Sequence, residues 1–503
     1  MSDTSLTNEQ IAAAFQQRIG AGQVQHRLFE RTARAGDASI YRLLPRVVVS
    51  PRNAEDVWAI LDYCREAGLY LTFRAAGTSL SGQAVTDGVL VDVAAHWKGL
   101  RILDGGRRVA VEPGVVGAHV NAFLAPHRAK IGPDPASINA CMMGGIAANN
   151  ASGMCCGVQY NSYHTLASMK LMLANGWSVD TAEPGAAARF AREQPEITAG
   201  LATLRDEICK RADIVETLRR KFSIKNTCGY SMNAFVDYTE PLDILAHLLI
   251  GSEGTLGFIS EITLNTLPDK PLKATALVFF RSLIEAGASI KPLADSGAAV
   301  LEIMDRAAMK SVADEMNYPF ELQGNCAALL IEFQEDDETG LKQRLDTAHG
   351  ILGRYELLAP VDFTRDPALQ AAFWHMRKGL FPSVGAMREM GTAVIIEDVC
   401  VQPADLANLI QDLQQMFGRH GFDDAIIFGH AKDGNVHFVI CTDFSQEEQT
   451  RRYAGLMDEL TSTVSGKYGG SLKAEHGTGR NIAPFVEQEW GPEIYEMMWR
   501  VKR

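Results

Sequence analysis

Arg74-Ala75-Ala76-Gly77-Thr78-Ser79-Leu80-Ser81-Gly82-Gln83 is a run of small and polar residues with one bulky apolar member. Gly77 and Gly82 let a backbone come close to a ligand, while Thr78, Ser79, Ser81 and Gln83 supply hydroxyls and an amide, which are the demands of a pyrophosphate. The run is neither Gly-x-Gly-x-x-Gly nor a lysine-bearing phosphate loop, so a Rossmann or nucleotide-hydrolase reading has no support. An ordinary polar turn is the competing reading.

Upstream, Val57, Ile60, Leu61 and Cys64 recur at helical spacing, with acidic residues at the start and Gly68 as the stop, which predicts a helix over 51–68. Strands are predicted at 69–74 and 89–93 on either side of the loop, and at 108–112, followed by a helix at 115–126. A second stretch, Gly132-Pro133-Asp134-Pro135 through Met143-Gly144-Gly145-Ile146-Ala147-Ala148-Asn149-Asn150-Ala151-Ser152-Gly153, is hard to read as a helix because paired glycines weaken one. Its lack of bulk suits either a flat cofactor or two backbones packed together. Gly251-Ser252-Glu253-Gly254-Thr255-Leu256-Gly257 repeats the idea before an alternating segment, 258–267. A linker at 268–271 then opens a second, mixed domain with strands at 274–280 and 327–333 and a helix at 283–295.

The length of 503 residues and 47% apolar composition call for two domains, and a formal charge of −13 without any basic run argues against nucleic acid. Nine cysteines with no Cys-x-x-Cys pair fit a reducing cytoplasm. The N-terminus lacks the features of a secretory signal, and no apolar run is long enough for a transmembrane segment. Residues 494–503 read as a helix without a stop, so the chain end is expected to fall inside a longer protein.

In Phe428-Gly429-His430-Ala431-Lys432-Asp433-Gly434-Asn435-Val436-His437-Phe438, Asp-Gly is the preferred centre of a two-residue hairpin turn. That turn predicts His430 directly opposite His437, about 5 Å apart at Cβ. Two imidazoles so placed can grip one divalent metal, and Glu475, in Lys473-Ala474-Glu475-His476-Gly477-Thr478-Gly479-Arg480, is the candidate third ligand. Histidines with purely structural roles are the alternative.

These motifs together resemble the vanillyl-alcohol oxidase (PCMH-type) FAD-dependent oxidoreductases, in particular the branch of D-lactate, glycolate and D-2-hydroxyglutarate dehydrogenases. The wording of 73–83, 149–157 and Ala483-Pro484-Phe485-Val486-Glu487 looks most like the large bacterial NAD-independent D-lactate dehydrogenases. The resemblance implies an α+β fold: an N-terminal helical segment (1–40), a PCMH-type FAD-binding domain (41–268), an α+β substrate or cap domain with an antiparallel sheet (269–480), and a C-terminal segment (481–503) returning to the FAD domain. It also implies non-covalent FAD, since the first loop has no histidine or cysteine to tether it. The implied FAD contacts are Arg74, Ala76, Gly77, Thr78, Ser79, Ser81, Gly82, Gln83, Pro133, Gly144, Gly145, Asn149, Ser152, Gly153, Glu253, Gly254, Gly257 and Ile259. His430, His437 and Glu475 are implied ligands of zinc or manganese, His476 the implied base and Arg377 the implied partner of the substrate carboxylate, with a solvated helix charge as the alternative for Arg377.

The expected reaction is oxidation of D-lactate to pyruvate with hydride passing to flavin N5 and with metal-assisted deprotonation of the 2-hydroxyl. His476 is expected to titrate near neutrality as it takes the proton. D-2-Hydroxyglutarate and glycolate are rival substrates. The apolar Phe438, Val439 and Ile440 after His437 favour a short side chain, and a flavin-binding subunit without catalysis is the rival of another class. Longer relatives continue into a cysteine-rich iron-sulfur domain that this sequence lacks. Iron-sulfur clusters are therefore expected only in a further C-terminal part or in a partner subunit that passes electrons to a quinone or cytochrome. The expected location is the cytoplasm, with peripheral attachment at the inner face of the membrane as an option.

Overall fold

The computed structural model describes residues 6–313, 318 and 320–503. Near the N-terminus, Thr7 and Gln10 form a capping box that starts the helix Asn8–Ile19. Its buried Ile11, Phe15 and Ile19 share a core with Val47, Val49 and Val57, so the first helix is part of the first layer. Asn53 caps the helix Ala54–Glu66 by accepting from the Asp56 amide, and Val57, Ile60 and Cys64 of its apolar stripe are buried.

The strands Val47–Val49, Val89–Asp92 and Leu71–Arg74 lie side by side and parallel, with Val24–Gln25 antiparallel at the edge. Parallel neighbours cannot be joined by a tight turn. Residues 75–88 must therefore travel back along the strand, which leaves an irregular loop where Leu71–Arg74 ends. A second, antiparallel sheet follows in the order Leu100–Leu103, Arg108–Val111, Phe258–Asn265, Leu166–Met172, Ser178–Asp180.

Residues 143–149 correct an expectation: Met143–Asn149 is a helix despite its paired glycines. Gly144 lies on Pro113, where a Cβ would stand 2.5 Å from the proline Cβ, whereas a Cβ at Gly145 would meet nothing. The weak helix former is tolerated because one glycine permits a close approach and the other leaves space open.

The third sheet has six strands, all antiparallel: Leu272–Phe280, Ala327–Glu335, Val300–Asp305, Ile426–His430, Asn435–Thr442 and Ala393–Cys400. Strand alternation sends Leu301, Ile303, Val436, Phe438 and Ile440 into one core with the helices Leu283–Asp295, Glu338–Leu352 and Leu406–His420. The opposite face carries Glu302, His430, His437 and Asp398, and the helix Pro367–Met387 packs against its apolar part. After Asn435–Thr442 and the helix Glu447–Ser462, residues 473–480 run between the first two sheets and the third. Thr227 N donates to Lys473 O at 2.7 Å, and Arg480 N donates to Ser81 O at 2.7 Å. The final helix, Val486–Lys502, breaks at Gly491 and lays Trp490 against Phe222. No helix among the described residues is long and apolar enough to cross a membrane.

Candidate functional site

A cavity of about 450 Å³ opens between the small-residue loops of the first half and the third sheet, within the range of roughly 300–1,000 Å³ usual for ligand pockets. Arg74, Ala76, Gly77, Thr78, Ser79 and Gln83 line it from the first loop, and Gly144, Gly145, Asn149 and Ser152 from the glycine-bearing helix and the turn after it. Glu253, Gly254, Gly257 and Ile259 close the same wall, and Arg377 faces it from the helix Pro367–Met387, His430 and His437 from the third sheet, and Glu475 and His476 from the 473–480 segment.

Four expected contacts lie elsewhere. Ser81 is fully buried beneath Arg480, Gly82 backs onto the Tyr41 ring, and Pro133 is outside the lining. Gly153 meets the Asp134 backbone so closely that a Cβ would stand 2.1 Å from its carbonyl oxygen. The smallness of Gly153 therefore reflects two packed backbones.

The histidine hairpin differs in register from the expected one. His430 pairs with Asn435 and Phe428 with His437, because residues 431–434 form a helical turn with Gly434 at φ +70°. A slip of two residues leaves each side chain on its original face. His430 and His437 remain neighbours on a diagonal, their Nε2 atoms 3.3 Å apart.

Glu475 Oε1 completes the group at 2.9 Å from His430 Nε2 and 3.5 Å from His437 Nε2. Three ligands on a tetrahedral ion with bonds of about 2.0–2.1 Å stand about 3.3 Å apart, so the donor set fits a divalent cation. A carboxylate stands behind each imidazole: Glu302 Oε1 is hydrogen-bonded to His430 Nδ1 at 2.6 Å, and Asp398 Oδ1 lies 3.2 Å from His437 Nδ1, outside hydrogen-bond geometry. Carboxylate-supported histidines of this kind are the usual outer shell of a metal site. Charge agrees. Among the described residues, the ion pairs of Glu302, Asp398, Asp433 and Glu475 with lysine or arginine are made by Arg377 and Lys225, which leaves two formal negative charges beside the two histidines.

Burial opposes ionisation of Glu475, but Lys225 and then His430 hold it well below the usual carboxylate range. Burial would likewise lower His430, yet Glu302 and, more weakly, Glu475 push it up to about 9. Lys225 ties three segments together. Its ammonium lies 3.2 Å from Glu475 Oε2 and 3.3 Å from Asp433 Oδ2, and it donates to the Gly153 carbonyl at 2.7 Å.

His476 stacks on His437 at 4.9 Å, with Nε2 4.0 Å from Glu475 Oε1. The expectation of titration near neutrality is corrected, because burial pushes the ring down to about 4 and Asp398 only partly offsets it. The imidazole is neutral and can accept a proton. Arg377 is not a solvated helix charge. It is 5% exposed, with Nη2 2.5 Å from Glu302 Oε2, its Cζ 4.6 Å from the Phe428 ring centroid, and its Nε without a partner.

Glu302, Asp398 and Lys225 were not singled out from sequence. The signal for the first two was present: a carboxylate inside the apolar strands Val300–Asp305 and Ala393–Cys400 must be buried and hence partnered. Nothing in the spacing around Lys225 marks it. Phe438, Val439 and Ile440, the expected gauge of substrate size, do not line the cavity. Phe438 and Ile440 point into the helix side, and Val439 is fully buried.

The first wall suits a large flat group with a phosphate tail. Gly145 leaves room beside it, and Gln83 Oε1, Asn149 Oδ1 and Glu253 Oε1 are buried without partners. Burial pushes the Glu253 carboxyl up to about 8, with only Gln83 opposing it, against about 4.3 in an unfolded chain. The folded protein therefore holds an extra proton between those values. The stability this contributes is full below about pH 4 and disappears as the pH rises through 8. E253Q, which cannot ionise, is expected to raise the unfolding midpoint of the flavin-free protein above wild type at pH 8.5 and to leave it nearly unchanged at pH 5. Equal offsets at both pH values would contradict a neutral Glu253.

Comparison with known proteins gives two matching family models: an FAD binding domain over residues 45–182, and the C-terminal domain of FAD linked oxidases over residues 270–503. The glycolate oxidase subunit GlcD of Escherichia coli (strain K12) is 28% identical over 448 residues, covering 88% of this chain and 77% of that protein. A D-2-hydroxyglutarate dehydrogenase of Haemophilus influenzae is 26% identical over 96% of this chain but only 49% of its own length. The mitochondrial D-lactate dehydrogenase [cytochrome] of Arabidopsis thaliana is 26% identical over 92% and 71%. Among solved structures, p-cresol methylhydroxylase with substrate bound superposes with a TM-score of 0.68 at 13% identity, over 98% of this chain and 94% of that one, a likeness of fold.

Proposed function

Since this chain matches an FAD binding domain and the C-terminal domain of FAD linked oxidases, we propose that it is a dehydrogenase of D-2-hydroxy acids, with D-lactate as the first substrate to test. The observation that carries the reading is the meeting, in one cavity, of a small-residue wall, a three-donor cation site and a buried arginine with a free Nε. Non-covalent FAD held by the loop and glycine walls would supply a two-electron acceptor, and a divalent cation held by His430, His437 and Glu475 would supply Lewis acidity.

The chain's own residues do the rest. Arg377 is fixed by Glu302 on one side and offers its remaining nitrogens to the substrate carboxylate, which orients C2 and favours an acid over a plain alcohol. Neutral His476 takes the hydroxyl proton at Nε2, the nitrogen on the Glu475 side. Asp398 receives the Glu475 and His476 amides at 2.6 and 3.0 Å and so sets the two residues in register. Gln83 and Asn149 reach across from the first half to the carbonyls of His476 and Glu475, both at 2.6 Å. They bind the reacting segment to the flavin wall. Electrons are proposed to leave through a separate iron-sulfur part or subunit toward a quinone or cytochrome.

D-Lactate added without oxygen is expected to bleach the visible flavin band of the purified holoprotein in a single turnover. A flavin that stays oxidised with every 2-hydroxy acid tried would favour the non-catalytic subunit, against which the intact His430, His437, Glu475 and His476 constellation speaks.

A further inference from the structure

The site face of the six-stranded sheet is divided into a polar block and an apolar block. Register pairs Glu302 with His430, Met304 with Phe428, Phe428 with His437 and Ile396 with Val439. The polar row of Glu302, His430, His437 and Asp398 therefore gives way, two residues along each strand, to Met304, Phe428, Val439 and Ile396. The overlying helix repeats the division, because Arg377 meets the polar block and Phe381, one turn later, packs in the apolar cluster with Phe428 and Ile396. Ile396, Phe428, Phe381 and Pro382 all line the cavity, and Leu80 faces it from the first half.

Arg377 lies directly on the Phe428 ring, so the carboxylate-binding group and the apolar wall are adjacent. A 2-hydroxy acid held by its carboxylate and hydroxyl at the polar block has only its C2 substituent left to meet that wall. We propose that the preferred substrate carries an apolar side chain of several carbons, and that a second carboxylate in that position is rejected. The inference rests on the D-2-hydroxy-acid reading above and extends it to substrate class. A carboxylate set against Ile396, Phe428 and Phe381 loses its hydration with no partner to replace it. The other cations lining the cavity do not offer one. Arg74 is engaged by the carbonyls of Arg34 and Gly36, and Lys378 is exposed, where water competes for it.

The test is the rate of anaerobic flavin reduction of the holoprotein by D-lactate, D-2-hydroxy-4-methylpentanoate, D-2-hydroxyglutarate and glycolate. The branched acid is expected to exceed D-lactate in kcat/KM by about tenfold or more, since each buried methylene discriminates by about 10-fold or more. D-2-Hydroxyglutarate is expected to fall about 10²-fold below the branched acid. A higher kcat/KM for D-2-hydroxyglutarate or glycolate than for the branched acid overturns this inference and leaves the 2-hydroxy-acid reading standing. Reduction by none of the four overturns both. In I396A, and independently in F381A, the ratio of branched acid to D-lactate is expected to fall about tenfold, and an unchanged ratio in both variants also overturns the assignment.

Discussion

H476A is expected to lower kcat for 2-hydroxy-acid oxidation with a dye acceptor by about 10²–10⁴-fold, the usual cost of losing a positioned general base. Flavin content and cation content should be unchanged. The expectation follows from a neutral ring beside the proposed cation site, with Nε2 4.0 Å from Glu475 Oε1 and, among the described residues, no further imidazole on the cavity wall apart from His430 and His437. A purely structural ring stacked on His437 would give a different result, namely a lower unfolding midpoint with kcat preserved in the folded fraction. Wild-type turnover in H476A would remove the base assignment.

H430A should act on another quantity. His430 supplies one of three converging donors and is the only one of the three in contact with Glu302, so its loss opens the proposed cation site and leaves Arg377 as the partner of the Glu302 carboxylate. Bound divalent metal is expected to fall from about one equivalent to near none, and turnover by on the order of 10³-fold, the weight of several kcal/mol of charge stabilisation. Flavin should stay bound, because its wall belongs to the other half of the molecule. Elemental analysis beside the flavin spectrum separates the two effects. Metal retained at wild-type stoichiometry in H430A would show that the three donors do not form the site.

Much of this was legible in the residues. The segment from Ala54–Glu66 through Leu71–Arg74 and into the loop could be read because its helix has a cap and an apolar stripe and its glycines fall where the chain must turn. Met143–Asn149 was misread because intrinsic propensity penalises paired glycines, whereas the contact of Gly144 with Pro113 decides the outcome and is invisible in a local window. The hairpin register was missed for a related reason. Asp-Gly favours a two-residue turn in isolation, but here the longer turn, closed by the Gly434 amide donating to Ala431 O, seats Gly434 against 401–403, with Val401 N donating to Gly434 O at 3.0 Å. The error cost nothing at the site because a slip by two conserves facing.

His430, His437 and Glu475 were found by residue type, but their support was not. Glu302, Asp398 and Lys225 come from segments far apart in sequence, and only the folded sheet brings them together. Burial, which moves His476 well below neutrality and Glu253 well above the usual carboxylate, is likewise a property of the assembled molecule.

In the proposed mechanism a cation at His430, His437 and Glu475 and a flavin on the glycine wall act on one substrate in a shared cavity. The decisive measurement is anaerobic reduction of the flavin with a D-2-hydroxy acid before chelation, after chelation, and after zinc or manganese is restored. Bleaching, loss of bleaching with the flavin still bound, and recovery are expected in turn. Bleaching at an undiminished rate in the cation-free protein would contradict that mechanism.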